Sequence, residues 1–238
     1  MSAETIAGKT ERIRTRIAEA CRRAGRSESE VALMAVSKMH PASAIAEAHA
    51  AGLRLFGENR VQEWHEKSQA LPPLSGLEVH LIGPLQSNKT ARAAELFHAV
   101  DSVDSLKVAT RLNAAAAALG KKLPILIEVK LSHEPSKHGI PPAGLPALLD
   151  QLAPLGSLVP AGLMTVPPWS EQAESARPYF RQLRRLRDAA LAAHPNLTQL
   201  SIGMSNDFAV AIEEGSTCIR IGTALFGRRK DPQQGSAG

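Results

Sequence analysis

Short apolar runs alternate with longer amphipathic stretches along most of this chain. Eight runs are rich in β-branched or other apolar residues and mostly lack polar alternation, which is typical of parallel strands covered on both faces. These runs are 31–37, 53–57, 78–83, 97–103, 124–131, 158–166, 197–203 and 217–222. The stretches with helical spacing between them are 42–51, 59–70, 88–96, 105–119, 143–153, 171–193 and 207–214. The pattern therefore predicts about eight strand–helix units.

Eight such units in 238 residues match the number of units and the size of a TIM-type barrel. We therefore predict an α/β protein built as a single (β/α)₈ TIM-type barrel. A doubly wound open sheet is the alternative. That fold more often has a glycine-rich turn after its first strand, whereas the first run here is followed by Lys38, Met39, His40 and Pro41.

The amino-terminal segment is predicted to form an extra helix that packs on the barrel. Its apolar residues Ile6, Ile13, Ile17 and Cys21 recur at helical spacing between charged residues. It has no continuous apolar stretch of the kind found in secretory signals, and no run approaches the roughly 18 apolar residues of a membrane span. The two cysteines give no disulfide framework. We expect a cytoplasmic protein without membrane contact.

No break in composition divides the chain. We predict one domain over residues 1–228, including the amino-terminal helix, followed by a disordered tail over 229–238. The formal net charge is +5, and part of the positive charge lies in the helix-like stretch 181–187. Aromatic residues make up only 3% of the chain, so no platform for stacking bases is visible. We interpret the basic stretch as a solvated helix face and expect a monomer without a nucleic-acid partner.

The carboxyl ends of barrel strands build the active site of this fold, so the residues after each run are candidates for function. Lys38 directly follows the first run, and burial at the barrel mouth would lower the pKa of its amine and make it nucleophilic. The alternative is a lysine at a strand exit that extends into solvent.

Small residues follow the last two runs, where this fold usually binds phosphate. Ser201, Gly203 and Ser205 belong to the turn SIGMSND, and Gly222 and Thr223 begin the final helical turn. Small residues at helix starts let backbone N–H groups approach a phosphate. The alternative is that the glycines only permit tight turns.

A nucleophilic lysine beside a phosphate site suits a sugar-phosphate aldolase or pyridoxal 5′-phosphate, which carries both an aldehyde and a phosphate. Arg220, within the apolar run TCIRIG, favours pyridoxal 5′-phosphate. A guanidinium facing the ring nitrogen would keep that nitrogen unprotonated and weaken the ring as an electron sink. The alternative for Arg220 is a structural ion pair with Glu213 or Glu214.

Seven ordered motifs extend this interpretation. They read VSKMHP, FGENRVQE, HLIGPLQSNK, SKHGI, GLM, LSIGMSND and RIGTALFG, and they lie between Val36 and Gly227. The set resembles the pyridoxal phosphate homeostasis proteins, also called the YggS/PROSC-type family, and the resemblance runs from about residue 6 to residue 228. One departure is Arg60, where a tyrosine is common; we expect it to face the helix surface.

The resemblance implies an alanine-racemase-like barrel that binds pyridoxal 5′-phosphate and supplies or buffers it without established turnover. Lys38 would form the Schiff base, and Arg220 would lie at the pyridine nitrogen. The residues implied to line the ring are Asn59 and His80, and those implied to contact the phosphate are Ser201, Gly203, Ser205, Gly222 and Thr223. Apo-enzymes that need the cofactor are the expected protein partners.

The main alternative is a pyridoxal-phosphate-dependent amino-acid racemase. Such an enzyme needs acid/base groups on both faces of the cofactor, the second usually a tyrosine from another domain. This sequence stops soon after the predicted barrel, and its single tyrosine, Tyr179, lies in a helical stretch. We therefore favour a carrier over an enzyme.

Other polar residues have weaker claims to function. Lys137 is a candidate second amine or a plain loop lysine. Glu58 follows the second run and could be catalytic or could support a helix start. Asp101 and Asp104 could be paired carboxylates, or a strand end and a helix cap. The histidines and cysteines show no metal-ligand spacing, so no metal site is expected.

Overall fold

The structure, a computed structural model, describes residues 4–132, 134 and 138–227. Lys137 and the predicted tail over 229–238 lie outside the described residues. The strands are β1 (Ala32–Val36), β2 (Leu55–Glu58), β3 (Glu78–Leu81), β4 (Ala99–Val103), β5 (Leu123–Glu128), β6 (Leu158–Met164), β7 (Gln199–Met204) and β8 (Cys218–Ile221). All are parallel and neighbouring in chain order, and β8 pairs with β1 to close the barrel. The predicted TIM-type barrel is confirmed, and the open sheet is excluded.

Helices surround the barrel in the order expected for strand–helix units. They are α1 (Ile6–Ala24), α2 (Ala42–Ala50), α3 (Val61–Ala70), α4 (Thr90–Leu96), α5 (Leu106–Ala118), α6 (Leu145–Leu152), α7 (Arg177–Ala190), α8 (Phe208–Glu213) and α9 (Thr223–Phe226). The predicted helix 171–193 was too long, since α7 begins at Arg177 after a 3₁₀ turn over Ala173–Ala176. Pro178 explains this start, because a proline is tolerated in the first turn of a helix and not in its interior.

Buried side chains form two separate layers. The larger apolar cluster lies between the outer face of the barrel and the helices, with Phe56, Phe180 and Phe208 fully buried. Alternate strand residues point the other way, into the barrel, since side chains alternate across a strand. The buried apolar residues of this inner layer are Met34, Val36, Ala99, Leu126, Met164 and Cys218. The inner layer is where polar strand residues must find partners.

The predicted amino-terminal helix is confirmed as α1. It packs against α8 and α9, the last two helices of the chain's described part. Thr5 caps its first turn by accepting a hydrogen bond from the N–H of Gly8, and Gly25 ends it in the left-handed conformation. Arg26 then donates to the carbonyls of Ile212 and Ser216, at 2.9 and 2.8 Å. These bonds tie the segment after α1 to the carbonyl of Ile212 at the end of α8 and to that of Ser216 in the turn before β8.

We predict that Arg26→Ala lowers the free energy of unfolding by about 2–3 kcal/mol, because two carbonyls lose a charged donor. Arg23→Ala is the matched control on the same segment. Arg23 forms an ion pair with Glu213 at 2.9 Å, but its side chain is half exposed, so its loss should cost less than about 1 kcal/mol. Urea unfolding of both variants measures the difference, and equal losses would contradict the role given to Arg26.

Candidate functional site

Lys38 lies at the carboxyl end of β1, two residues beyond Val36. It has the same strand parity as Met34 and Val36, which puts it on the side of the barrel interior, and it is half-buried. The position at the mouth is the one expected for a reactive lysine of this fold.

The pairing of β1 with β8 brings the Lys38 segment beside the start of α9. Ala35 is the register partner of Ile221, so Val36 lies level with Gly222. A side chain on Gly222 would approach the carbonyl oxygen of Val36 at 3.5 Å. Two residues beyond Lys38, the His40 ring contacts the Phe226 ring with centroids 5.0 Å apart. Lys38 thus lies between Val36, which is close to Gly222 before α9, and His40, which contacts Phe226 at the end of α9.

The turns after β7 and β8 contact each other directly. The hydroxyl of Ser205 accepts a hydrogen bond from the N–H of Ala224 at 3.3 Å. Gly222 precedes α9, and its carbonyl accepts the N–H groups of Leu225 and Phe226. The N–H groups of a first helical turn have no partner within their helix. Ser205, Gly222 and Thr223 therefore lie together next to Lys38, as the phosphate prediction requires.

Gly203 has a different reason to be glycine. Its backbone has φ of 94°, a conformation that favours glycine. A Cβ atom there would lie 2.5 Å from the Cβ of Ala211 and 3.0 Å from the Cα of Phe208. The close approach of α8 to β7 thus already requires glycine at this position, whether or not it contacts a ligand.

Arg220 lies inside the barrel on β8 and is only 4% exposed. Its Nη1 donates to the carbonyl and to the hydroxyl of Ser201, at 2.6 and 2.7 Å, and its Nη2 donates to the carbonyl of Thr165 at 2.9 Å. Burial lowers the pKa of Arg220, while nearby negative charges, including that of Asp101, act in the opposite direction. A guanidinium stays charged even so, because its ordinary pKa is far above neutral.

The alternative ion pair of Arg220 with Glu213 or Glu214 is wrong. Both carboxylates lie outside the barrel, where Arg177 binds Glu213 at 2.8 Å and Glu214 at 2.7 Å. Arg181 also binds Glu214, at 3.0 Å. The basic stretch 181–187 is thus partly neutralised by carboxylates around it, in agreement with its interpretation as a helix face.

Ser201 is fully buried beneath Arg220, and its hydroxyl accepts the hydrogen bond from that guanidinium. It lies lower in the barrel than Ser205 and Gly222, since it pairs with Cys218, the first residue of β8. This position accounts for Ser201 as a support for Arg220 and does not support its predicted contact with phosphate.

His80 lies inside the barrel toward the amino ends of the strands. Its Nδ1 is 3.1 Å from Asp101, and its Nε2 is 3.5 Å from Glu78. Burial opposes the charged form of His80, but the carboxylates of Asp101 and Glu78 outweigh this effect and raise its pKa to about 9. These three residues line a cavity of about 300 Å³. Its other walls include the first residues of four strands, namely Ala32, Leu55, Gln199 and Cys218. Lys38, by contrast, follows the carboxyl end of its strand, so the position of His80 does not support its implied contact with the cofactor ring.

Asp101 was not recognised from the sequence as the partner of His80. It is a buried interior residue and not merely the end of a strand. The available signal was that Asp101 is two residues from Ala99 in the fourth run, so both side chains lie on the same face of the strand. The helix predicted to start near residue 105 is confirmed as α5, which begins at Leu106, but its N-cap residue is Ser105, so the expectation that Asp104 caps it is wrong.

Asn59 and Glu58, at the end of β2, lie on opposite sides of the barrel wall. Asn59 is half-buried at the mouth, and its backbone fills the space that a Cβ on Gly83 would need, with its carbonyl oxygen 2.3 Å from that position. Glu58 is buried on the opposite face, where its Oε1 accepts hydrogen bonds from Ser37 and Lys67. Glu58 is therefore neither in the barrel mouth nor a helix cap. Arg60 is exposed at the start of α3, as expected.

Three further expectations concern the single tyrosine, metal ligands and membrane spans. Tyr179 lies on α7, in the outer layer of helices. Within residues 4–132, 134 and 138–227, no group of three or more histidines, cysteines or acidic residues is arranged to hold a metal ion. Over the same residues, no helix has both the length and the apolar character needed to cross a bilayer.

The chain has a closed parallel barrel with a lysine after its first strand. Its class is that of proteins with an alanine racemase N-terminal domain. Residues 9–230 match the family model described as alanine racemase, N-terminal domain. An alanine racemase from Clostridium difficile shares the fold, with a TM-score of 0.67 at 16% identity, over 91% of this chain and 56% of that one.

More similar proteins define the family. The pyridoxal phosphate homeostasis protein of Pseudomonas aeruginosa is 46% identical over 226 residues, covering 94% of this chain and 96% of its own. That of Escherichia coli K12 is 46% identical over 233 residues, covering 94% and 97%. PipY of Synechococcus elongatus, solved with pyridoxal phosphate bound, has a TM-score of 0.80 at 44% identity, over 90% of this chain and all of that one. This chain belongs to the pyridoxal phosphate homeostasis protein family.

We predict that the His80–Asp101 pair makes stability depend on pH. The pKa of His80 rises from 6.5 in the unfolded chain to about 9 in the folded one, so its contribution is complete below pH 6.5 and is lost as the pH rises through 9. Its size is about 3 kcal/mol, since each unit of pKa corresponds to about 1.4 kcal/mol. Urea unfolding between pH 6 and 10 should show this loss in the unchanged protein and not in His80→Gln.

The matched control is His194→Gln. The Nε2 of His194 is 3.8 Å from the carboxylate of Asp150, and the side chain of Asp150 is 80% exposed. This variant should keep the pH dependence of the unchanged protein. A pH profile of His80→Gln parallel to that of the unchanged protein would contradict the role given to the pair.

Proposed function

We propose that this protein binds pyridoxal 5′-phosphate at the carboxyl-end mouth of the barrel and carries the cofactor without using it for turnover. The observation that carries the proposal is the position of Lys38 on the interior side of the mouth, beside the Ser205–Ala224 contact and Gly222. The family named for this cofactor, and the solved relative that contains it, support the same ligand. Apo-enzymes that require the cofactor are the proposed recipients, and a cytoplasmic monomer remains the expectation.

The residues at the mouth fit the chemistry of this cofactor. When bound, the cofactor supplies an aldehyde, which condenses with an amine with loss of water, and a phosphate that needs hydrogen-bond donors. Lys38 would supply the amine as the Schiff-base lysine, and its half-buried side chain lies at the mouth where the aldehyde would be. Ser205, Gly222 and Thr223 would supply hydroxyl and backbone donors to the phosphate. Asn59 would border the ring from the side of β2.

Arg220 supports a carrier more than an enzyme. Three of its five N–H donors bind Ser201 and Thr165, which fixes the guanidinium in one place. A guanidinium can only donate, so a ring nitrogen beside it must accept and stays unprotonated. Carbanion chemistry is then slow. In this arrangement Ser201 positions Arg220 and does not touch phosphate, and His80 supports the barrel interior from its amino end.

The racemase alternative requires a second acid/base residue opposite Lys38. A racemase of this fold usually supplies a tyrosine for that role, and Tyr179 is the tyrosine of this chain. It lies on the outer helix α7 and not at the mouth. No observation on the described residues favours a second candidate function over the carrier.

We predict that Lys38 is the lysine to which the cofactor becomes attached. After incubation with pyridoxal 5′-phosphate and reduction with borohydride, peptide mapping should find the label on Lys38, and Lys38→Ala should lose it while remaining folded. Lys130→Ala is the matched control, because Lys130 is a half-buried lysine just beyond the end of β5. A label that persists in Lys38→Ala on another lysine would refute the assignment.

We predict that the double variant Ser205→Ala, Thr223→Val binds pyridoxal 5′-phosphate about tenfold or more weakly, since hydrogen bonds to a charged group are lost. Binding of pyridoxal, which lacks the phosphate, should change little. The control double variant Ser68→Ala, Thr110→Val changes the same residue types on α3 and α5. Fluorescence titration gives both affinities, and an equal loss for the two ligands would move the phosphate elsewhere.

A further inference from the structure

A cluster of charged side chains lies directly behind the Lys38 segment, between the barrel and α3. It consists of Glu58 on β2 and Glu63 and Lys67 on α3, and we refer to these three residues as the clamp. The Nζ of Lys67 is 2.9 Å from Oε1 of Glu58 and 2.6 Å from Oε1 of Glu63, and its side chain is only 10% exposed. The clamp is therefore a set of charges outside the barrel mouth, in which Glu58 is fully buried and Glu63 and Lys67 are partly buried.

The clamp holds the backbone on both sides of Lys38. The ammonium of Lys67 also donates to the carbonyl of Ser37 at 2.9 Å, so all three of its donors are used. The carboxylate of Glu63 accepts a hydrogen bond from the N–H of Met39. The Ser37 carbonyl belongs to the peptide unit before Lys38, and the Met39 N–H belongs to the unit after it. One bonded pair of side chains thus fixes both peptide units that flank the reactive lysine.

The same segment has an unusual backbone and further restraints. Met39 has φ of 62°, which is uncommon for a residue other than glycine, and its side chain is exposed and so does not anchor it. The hydroxyl of Ser37 donates to Glu58 at 2.7 Å, and the N–H of Ser37 donates to the carbonyl of Gly57 at 3.1 Å. A strained conformation persists only where its surroundings hold it. Here the hold comes from the clamp.

Fold stability alone is a poor reason for this arrangement. Buried ion pairs contribute little net stability, because the cost of removing charges from water offsets their attraction. Oε2 of Glu58 is buried and has no hydrogen-bond partner among the described residues, and burial raises the pKa of this carboxyl. What the clamp achieves is geometric, since its bonds converge on residues 37 and 39.

We propose that the clamp is a positioning device for Lys38, in which Lys67 and Glu63 set the direction of the Lys38 side chain toward the cofactor aldehyde. The inference rests on the proposed function, because Lys38 must be the attachment residue for its direction to matter. Neither Glu63 nor Lys67 touches the ligand; both act through the backbone on either side of Lys38.

The experiment measures how fast Lys38 captures the aldehyde. Protein freed of cofactor is mixed with pyridoxal 5′-phosphate or pyridoxal, reduced with borohydride at set times, and mapped by mass spectrometry. Glu63→Ala should slow labelling of Lys38 about tenfold or more, since small displacements of a reacting group have effects of this size. The loss should be the same for both ligands, because the amine and not the phosphate site is disturbed. Glu63→Gln, whose side-chain oxygen can still accept from Met39, should recover part of the rate.

Glu66→Ala is the matched control. Glu66 is an exposed glutamate on the same helix that binds Gln62 at 2.9 Å, and its removal should leave the labelling rate unchanged. Circular dichroism and urea unfolding should show Glu63→Ala folded. If Glu63→Ala captures both ligands as fast as Glu66→Ala, the clamp is not a positioning device. If the unchanged protein is not labelled at Lys38 at all, the proposed function fails, and the inference fails with it.

Discussion

The pairing of β8 with β1 is the contact on which the rest of this structure depends. It closes the sheet, and closure fixes which side chains point inward on every strand. It also brings the end of the first strand next to the start of α9, although nearly the whole chain lies between them. Lys38 and the Gly222–Thr223 turn therefore meet only because the barrel is closed. The register of β1 with β8 therefore creates a site with an amine on one side and backbone donors on the other.

Closure also creates an interior in which charges must find partners. Arg220 is satisfied by Ser201 and Thr165, and His80 by Asp101 and Glu78. The two groups divide the interior, with Arg220 oriented by β6 and β7 and His80 held by acidic residues toward the amino ends. Charges held this firmly suit a site that binds one ligand in one orientation. In the proposed carrier, a fixed guanidinium would limit reaction at the cofactor, and a well-directed Lys38 would govern its capture.

Much of this account could be predicted from sequence, and the limits have physical causes. The eight apolar runs gave the strands to within a few residues, since parallel strands buried on both faces are continuous in apolar character. Lys38 and the α9 turn could be proposed as site residues because this fold places function at strand ends. The partners of Ser201, Asp101 and Glu58 were not found, because a hydrogen bond between residues in different elements leaves no local sequence pattern. Ser201 lies two residues from the Gly203 turn, and only the register of β7 shows that it is beneath Arg220.

The central claim is that the bound cofactor is carried and seldom reacts. The most direct test incubates the protein, loaded with pyridoxal 5′-phosphate, with L- and D-amino acids in deuterated water and follows exchange of the α-proton. In parallel, the loaded protein is mixed with an apo-enzyme that requires the cofactor. The account predicts negligible exchange together with recovery of the acceptor's activity. Exchange at enzyme-like rates, about 1 per second or faster, would contradict it.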